Sequence, residues 1–142
     1  MITLVVRRKI SAAPERLFDA WTRPEELQKW WGPRGVICVA AQVDLRVGGL
    51  YRIANQFPDG KVIWITGEFE IIERPSRLAY TWKLESQAGP VERVMVTFKG
   101  SGTNTEVVVR HERIAEVLVR ERHEQGWRAR LSGLAAYAET GL

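Results

Sequence analysis

Apolar positions along the chain change period twice, and the changes divide it into three parts. At the start, Leu4, Val5, Val6 and Ile10 surround three basic residues and read as a strand over 2 to 10. Ser11-Ala12-Ala13-Pro14-Glu15 then opens a helix, with Pro14 in the first turn where a missing N–H does no harm. Leu17, Phe18 and Trp21 give that helix an apolar face at three- and four-residue steps. Thr22-Arg23-Pro24-Glu25 has capping-box spacing, Thr22 as N-cap and Glu25 three residues on. It predicts a second short helix carrying Leu27, Trp30 and Trp31, ended by Gly32-Pro33.

From 36 to 111 the period becomes two. Val36 to Val43 and Leu50 to Phe57 predict strands on either side of Gly48-Gly49, and Pro58-Asp59-Gly60 predicts a hairpin with a type I′ turn. Val62 to Glu73 reads as a long strand with Gly67 as its bulge. Leu78, Tyr80, Trp82 and Leu84 alternate against Ala79, Thr81 and Lys83, and Val94, Val96 and Phe98 alternate the same way. After the Gly100-Ser101-Gly102 turn, Val107, Val109 and His111 share one side of the last strand.

The third part, 115 to 140, returns to helical spacing. His123, Trp127, Leu131, Leu134 and Ala138 fall on one face, and Glu116–Arg120 and Glu124–Arg128 form acid-first i,i+4 pairs elsewhere. Gly126 and Gly133 lie a heptad apart and cost helix stability, so something is expected to pack close there. The order strand, two short helices, six strands, long helix predicts an antiparallel sheet capped by one amphipathic helix. That is a two-layer α+β domain spanning 1–142, with large aromatics on the concave face that can line a space as well as fill one.

Composition narrows the classes. With 45% hydrophobic and 27% charged residues the chain is globular and not disordered. The net charge of +4 is spread along the chain, and its one basic run, Arg7-Arg8-Lys9, reads as a solvated strand edge, so no nucleic-acid partner is expected. The single cysteine, Cys38, excludes an internal disulfide and reads as an inert core thiol. No run approaches 18 apolar residues and no signal-peptide core precedes the first charges, so no membrane span and a cytoplasmic location are expected.

Motifs for chemistry are sparse. There is no phosphate loop, His-Glu-x-x-His, Cys-x-x-Cys or Gly-x-Ser-x-Gly. His111 and His123 could form an acid/base pair or ligate a metal, but no carboxylate is clearly placed to complete a site. The expectation is a pair of partly buried, hydrogen-bonded imidazoles, with no metal, no cofactor and no catalytic residue. Asp44 and Arg46 share a face and are expected to fix the turn at Gly48-Gly49; Trp30 and Trp31 are expected at the helix–sheet junction.

Several motifs also carry a resemblance. Ala13-Pro14-Glu15-Arg16-Leu17-Phe18-Asp19-Ala20-Trp21-Thr22-Arg23-Pro24, Trp30-Trp31-Gly32-Pro33, Asp44 to Arg52, Arg77 to Trp82, His111 and His123 to Trp127 occur in the order of one known family. They resemble bacterial proteins similar to the C-terminal domain of the activator of heat shock protein 90 ATPase. The resemblance implies the START-like (SRPBCC) superfamily and its helix-grip fold, a curved seven-stranded sheet with two short helices and a long C-terminal helix over an apolar cavity. Superfamily members bind lipids, hormones or polyketides, catalyse cyclisation or hydration, or act on proteins. The eukaryotic cochaperone carries a separate N-terminal domain with no counterpart in these residues, which ranks chaperone regulation behind ligand binding.

Together these readings give one leading expectation. The protein binds a small hydrophobic or amphipathic ligand, lipid or polyketide-like, in a stress-response setting, as a monomer or homodimer. The expected cavity residues are Trp64, Phe69, Tyr80, Trp82, Val96, Phe98, Val109, His111, His123, Trp127 and Leu131. The alternatives are a cyclase or hydratase using His111, His123 or Tyr80, and a chaperone-regulating module. If Trp127 borders the cavity, its removal should cost less than roughly 3 kcal/mol.

Overall fold

The computed structural model describes residues 1–32, 35–86 and 89–139. The elements are β1 (Ile2–Ile10), α1 (Pro14–Thr22), α2 (Pro24–Trp30), β2 (Ile37–Val43), β3 (Leu50–Gln56), β4 (Val62–Glu73), β5 (Arg77–Leu84), β6 (Glu92–Ser101), β7 (Asn104–Ile114) and α3 (Val117–Glu139). The strands form one antiparallel sheet in the order β1-β7-β6-β5-β4-β3-β2. Strands β2 to β7 follow one another as a meander, and β1 closes the far edge beside β7. This is the helix-grip arrangement, α+β with the sheet curved around α3.

Period-two alternation decides what faces α3. Tyr80 and Trp82 of β5, Val94, Val96 and Phe98 of β6, and Val107, Val109 and His111 of β7 all turn inward and are buried. Trp127, Leu131, Leu134, Ala135 and Ala138 of α3 meet them in one core cluster. Each large side chain removed from water there contributes about 1.5–3 kcal/mol. Trp30 and Trp31 are buried at the junction of α2, α3 and the sheet. A Cβ at Gly133 would lie 2.8 Å from the Trp30 carbonyl oxygen, so this glycine lets α2 dock on α3. A Cβ at Gly126 would meet only the Arg130 guanidinium, at 3.1 Å.

Local chemistry differs from the sequence expectation at several points. Thr22 is the last residue of α1 and its hydroxyl donates to the Phe18 carbonyl, so it caps nothing. Arg23, held extended by the proline that follows, is the N-cap of α2, and Pro24 starts the helix. Pro33 lies outside the described residues. At the Pro58 hairpin Gly60 has φ +88°, while Asp59 is not left-handed, and the Gly60 N–H bonds the Phe57 carbonyl. The turn is therefore type I followed by a left-handed glycine, as Pro58 at the second position demands, and not type I′. The β4 register shift falls between Phe69 and Ile71 rather than at Gly67. Gly67 is instead a point of close approach, where a Cβ would lie 2.0 Å from the Thr81 carbonyl oxygen. On α3, Glu124–Arg128 forms as expected, but Arg120 pairs with Glu124 and not Glu116. Arg7, Arg8 and Lys9 are exposed on the edge strand β1. Cys38 is a free buried thiol whose pKa burial pushes up to about 11.

Candidate ligand-binding site

Arg130 stands in the middle of the apolar stripe of α3, three residues after Trp127 and seven after His123. It is 7% exposed. Its guanidinium carbon lies 4.9 Å from the Trp31 ring, 5.1 Å from the Trp127 ring and 5.4 Å from the Trp82 ring. Burial lowers its pKa to about 10, against a smaller opposing pull from Tyr80 and Tyr51, so it is a cation at neutral pH. Taking an ion out of water costs several kcal/mol. A desolvated cation–π contact returns about 2 kcal/mol, so three indoles can hold the charge. They cannot accept its N–H hydrogens in the ring plane. The Arg130 Nε, Trp31 Nε1 and Trp82 Nε1 atoms are all buried without a hydrogen-bond partner among the described residues. These are three donors on side chains in mutual contact, with Trp31 and Trp82 ring centroids 6.2 Å apart.

Beside this cage lies a hydrogen-bonded relay. Glu92 opens β6, directly opposite Trp82 across the β5–β6 ladder. One carboxylate oxygen lies 2.7 Å from His111 Nε2 and 2.8 Å from His123 Nε2. The two imidazoles stack with centroids 4.1 Å apart. Trp127 donates its indole N–H to His111 Nδ1 at 2.9 Å. That bond fixes the His111 proton on Nε2, where it is donated to Glu92. Burial would push the Glu92 carboxyl up, but the hydrogen bonds from the two histidines outweigh it and hold it at about 2. Burial lowers the His111 pKa, opposed by its bond to Glu92, and keeps the ring neutral.

The relay's atoms lie within 4.8 Å of one another, a spacing open to a cation. Metal binding through His111 Nε2 would require the proton on Nδ1, facing the Trp127 N–H, so two hydrogens would meet. The arrangement therefore works as a hydrogen-bonded unit. As a base, a carboxylate with a pKa of about 2 is poorly matched to neutral pH.

Two recesses flank the cage. One is apolar, of about 20 Å³, enough for about one water, lined by Trp21, Leu27, Trp31, Val43, Tyr51, Ile53, Phe69, Leu78 and Tyr80. Tyr51 and Tyr80 are the phenols that act on Arg130, and Tyr80 accepts a hydrogen bond from Trp21 Nε1 at 3.2 Å. The other is a surface cleft of about 220 Å³ between the β5–β6 connection and the start of α3, lined by Trp82, Leu84, Pro90, Glu92, Val119 and His123 among others.

Of the expected cavity residues, Phe69 and Tyr80 line the apolar recess, and Trp82 and His123 line the cleft. Val96, Phe98, Val109 and Leu131 pack in the core cluster, and His111 and Trp127 are fully buried in the relay. Trp64 points away from α3, with the Arg52 guanidinium 4.0 Å above its ring. It is five residues before Phe69 with the register unbroken, so the two take opposite faces. Sequence reasoning missed Glu92 and Arg130. Both were within reach, Glu92 two residues before Val94 on the inward face and Arg130 on the stripe already drawn through His123 and Trp127.

The model of the family described as Activator of Hsp90 ATPase homolog 1-like protein matches residues 11–139. No curated protein matches. Among solved structures, a Chromobacterium violaceum protein is 27% identical, with a TM-score of 0.89 and 96% of each chain covered. An HSP90 activator from Plasmodium falciparum is 26% identical, with a TM-score of 0.77, over 96% of this chain and 95% of that one. An AHSA1 protein from Silicibacter pomeroyi is 24% identical, with a TM-score of 0.89, over 99% and 100%; at that identity it shares the fold alone.

Proposed function

The chain belongs to the Activator of Hsp90 ATPase homolog 1-like family, and on that premise we propose that it binds a small amphipathic molecule beneath α3, in the cytoplasm, without catalysing a reaction on it. The observation that carries this reading is the apolar recess between the two short helices and the concave face, walled by Trp21, Trp31, Phe69 and Tyr80 beside a buried cation. At about 20 Å³ the recess is far smaller than a ligand pocket of several hundred, so binding enlarges it. Tyr80 and Phe69 are the contact residues of the recess, and Trp82 adjoins it through Trp31. Val96, Phe98, Val109, His111, Trp127 and Leu131 hold the walls from within the core, whereas Trp64 faces away from α3.

The test is native mass spectrometry of freshly purified protein together with titration by an apolar fluorescent dye. A co-purified small molecule, or saturable uptake of one dye per chain displaced by a fatty acid, supports the reading. Dye uptake without saturation and a protein of bare mass would contradict it. A second reading has the Plasmodium falciparum HSP90 activator behind it, and makes the chain a regulator of a chaperone ATPase. That reading expects the ATPase rate of an Hsp90-class chaperone to change on addition of the protein, and to respond equally to Tyr80→Phe. Acid/base chemistry at His123 is the weaker alternative, because Glu92 holds one nitrogen of its ring and, among the described residues, no side chain hydrogen-bonds the other.

A further inference from the structure

We infer that Arg130, with the indole N–H groups of Trp31 and Trp82, is the receptor for the carboxylate of an amphipathic acid. This rests on the binding reading above and specifies its ligand. A guanidinium presents five N–H donors and an indole one, and none of the three side chains has an acceptor of its own. No carboxylate pairs with Arg130 among the described residues, although Glu92 lies on the neighbouring strand end. Glu92 is spoken for by His111 and His123 and is further tied into the relay through Trp127. The hydroxyls of Tyr51 and Tyr80 act on Arg130 electrostatically, but neither accepts from its Nε; Tyr51 donates to the Thr81 carbonyl at 2.5 Å and Tyr80 accepts from Trp21.

A purely structural role does not account for this. The three ring faces offset the charge but leave the unpaired N–H groups without an acceptor, and a methionine-like side chain would fill the same apolar stripe without the desolvation cost. The missing chemistry is an acceptor with negative charge. A carboxylate fits, because its two oxygens accept from the guanidinium fork while leaving lone pairs for the indoles. The rest of the ligand must be apolar, since the recess beyond Trp31, Tyr51 and Tyr80 continues along Leu27, Ile53 and Leu78. The relay of Glu92 sits on the opposite side of Trp82, so its negative charge faces the cleft and not the apolar recess.

The test is titration of the protein, followed by tryptophan fluorescence and by thermal shift, with decanoate, with decanol and with inorganic phosphate. Wild type should bind decanoate at least about tenfold more tightly than decanol, since a hydrogen-bonded ion contact carries one to two decades of affinity. Arg130→Met should lose that preference and keep decanol. Trp31→Phe and Trp82→Phe keep the rings and remove one donor each; they should weaken decanoate several-fold and leave decanol unchanged, and they carry the test if Arg130→Met does not fold. Equal affinity for acid and alcohol in wild type overturns the inference and leaves the binding reading standing. Saturation by phosphate with neither chain compound bound overturns the assignment to an amphipathic acid. Absence of saturable binding of all three overturns the binding reading itself.

Discussion

The two halves of α3 cover the same sheet and bury the same kinds of ring, yet they treat polar atoms in opposite ways. Toward the C-terminus, Leu134, Ala135 and Ala138 close an apolar half of the core, and the one buried side-chain atom left unpaired outside the cage, among the described residues, is the acceptor Asn55 Oδ1 on β3. Thr105 donates to the Ala12 carbonyl at 2.7 Å, and the Ser11 N–H reaches Glu139 at 2.9 Å. Toward the N-terminus, His123, Trp127 and Arg130 enter a region of four indoles, two imidazoles and one carboxylate. There Trp31, Trp82 and Arg130 each keep a buried donor without a partner among the described residues. Both halves are dense, so hydrophobicity does not separate them. Satisfaction does. A stretch of core that serves only stability pairs its polar atoms; one that leaves a buried cation and two indoles touching it each with an unpaired donor is organised for something else.

The sharpest test of that contrast is Trp127→Ala. The indole is fully buried, touches Trp21, Trp31 and Trp82, and donates to His111. It lines neither recess, so the small loss expected of a cavity-wall residue does not apply. Urea unfolding should show a loss of about 3–5 kcal/mol. A loss well under that would put a cavity against Trp127. Leu134→Ala samples the satisfied half and should cost about 2–5 kcal/mol by the same measurement, without changing binding of any ligand.

Acid should unsettle the polar half selectively. The folded His111 refuses a proton that the unfolded chain takes below its ordinary value of 6.5, so stability falls as pH drops through that value. Glu92, at about 2 when folded against 4.5 unfolded, adds stability above 4.5 that is lost as pH falls from 4.5 toward 2. Both slopes have one sign, with stability rising as pH rises across the window. The urea midpoint should decline from pH 7 to pH 5 and again below 4.5, and Glu92→Gln should flatten the second decline; an unchanged profile in that variant would remove Glu92 from the network. The exposed Arg128–Glu124 pair marks the bottom of the scale, and Arg128→Ala should leave the unfolding midpoint within experimental error.

How much of this was legible follows from period and parity. Alternation through Tyr80 and Trp82, Val94 to Phe98 and Val107 to His111 predicts the strands and the inward faces, because a half-buried sheet tolerates no slip of one residue. The same rule, carried two residues further, brings Glu92 inside; carried across β4, it turns Trp64 outward. The failures arose where pattern meets chemistry. Arginine reads as surface in a stripe drawn from apolar residues alone, although position, not polarity, decides what a helix buries. The turn at Asp59 and the start of α2 were set by Pro58 and Pro24, whose fixed φ outranks the spacing of neighbouring caps. That one oxygen of Glu92 accepts from two histidines on different elements depends on registers that one strand's pattern does not hold.

Arg130→Met, unfolded in urea beside wild type at pH 7, tests the central claim most directly. If Arg130 is retained for a ligand, removing a buried cation without a carboxylate partner leaves stability unchanged or raises it by about 1–4 kcal/mol. A loss of more than about 3 kcal/mol would mean that the guanidinium is held in the core by contacts that stabilise the fold, and the contrast between the two halves of α3 would then carry no functional meaning.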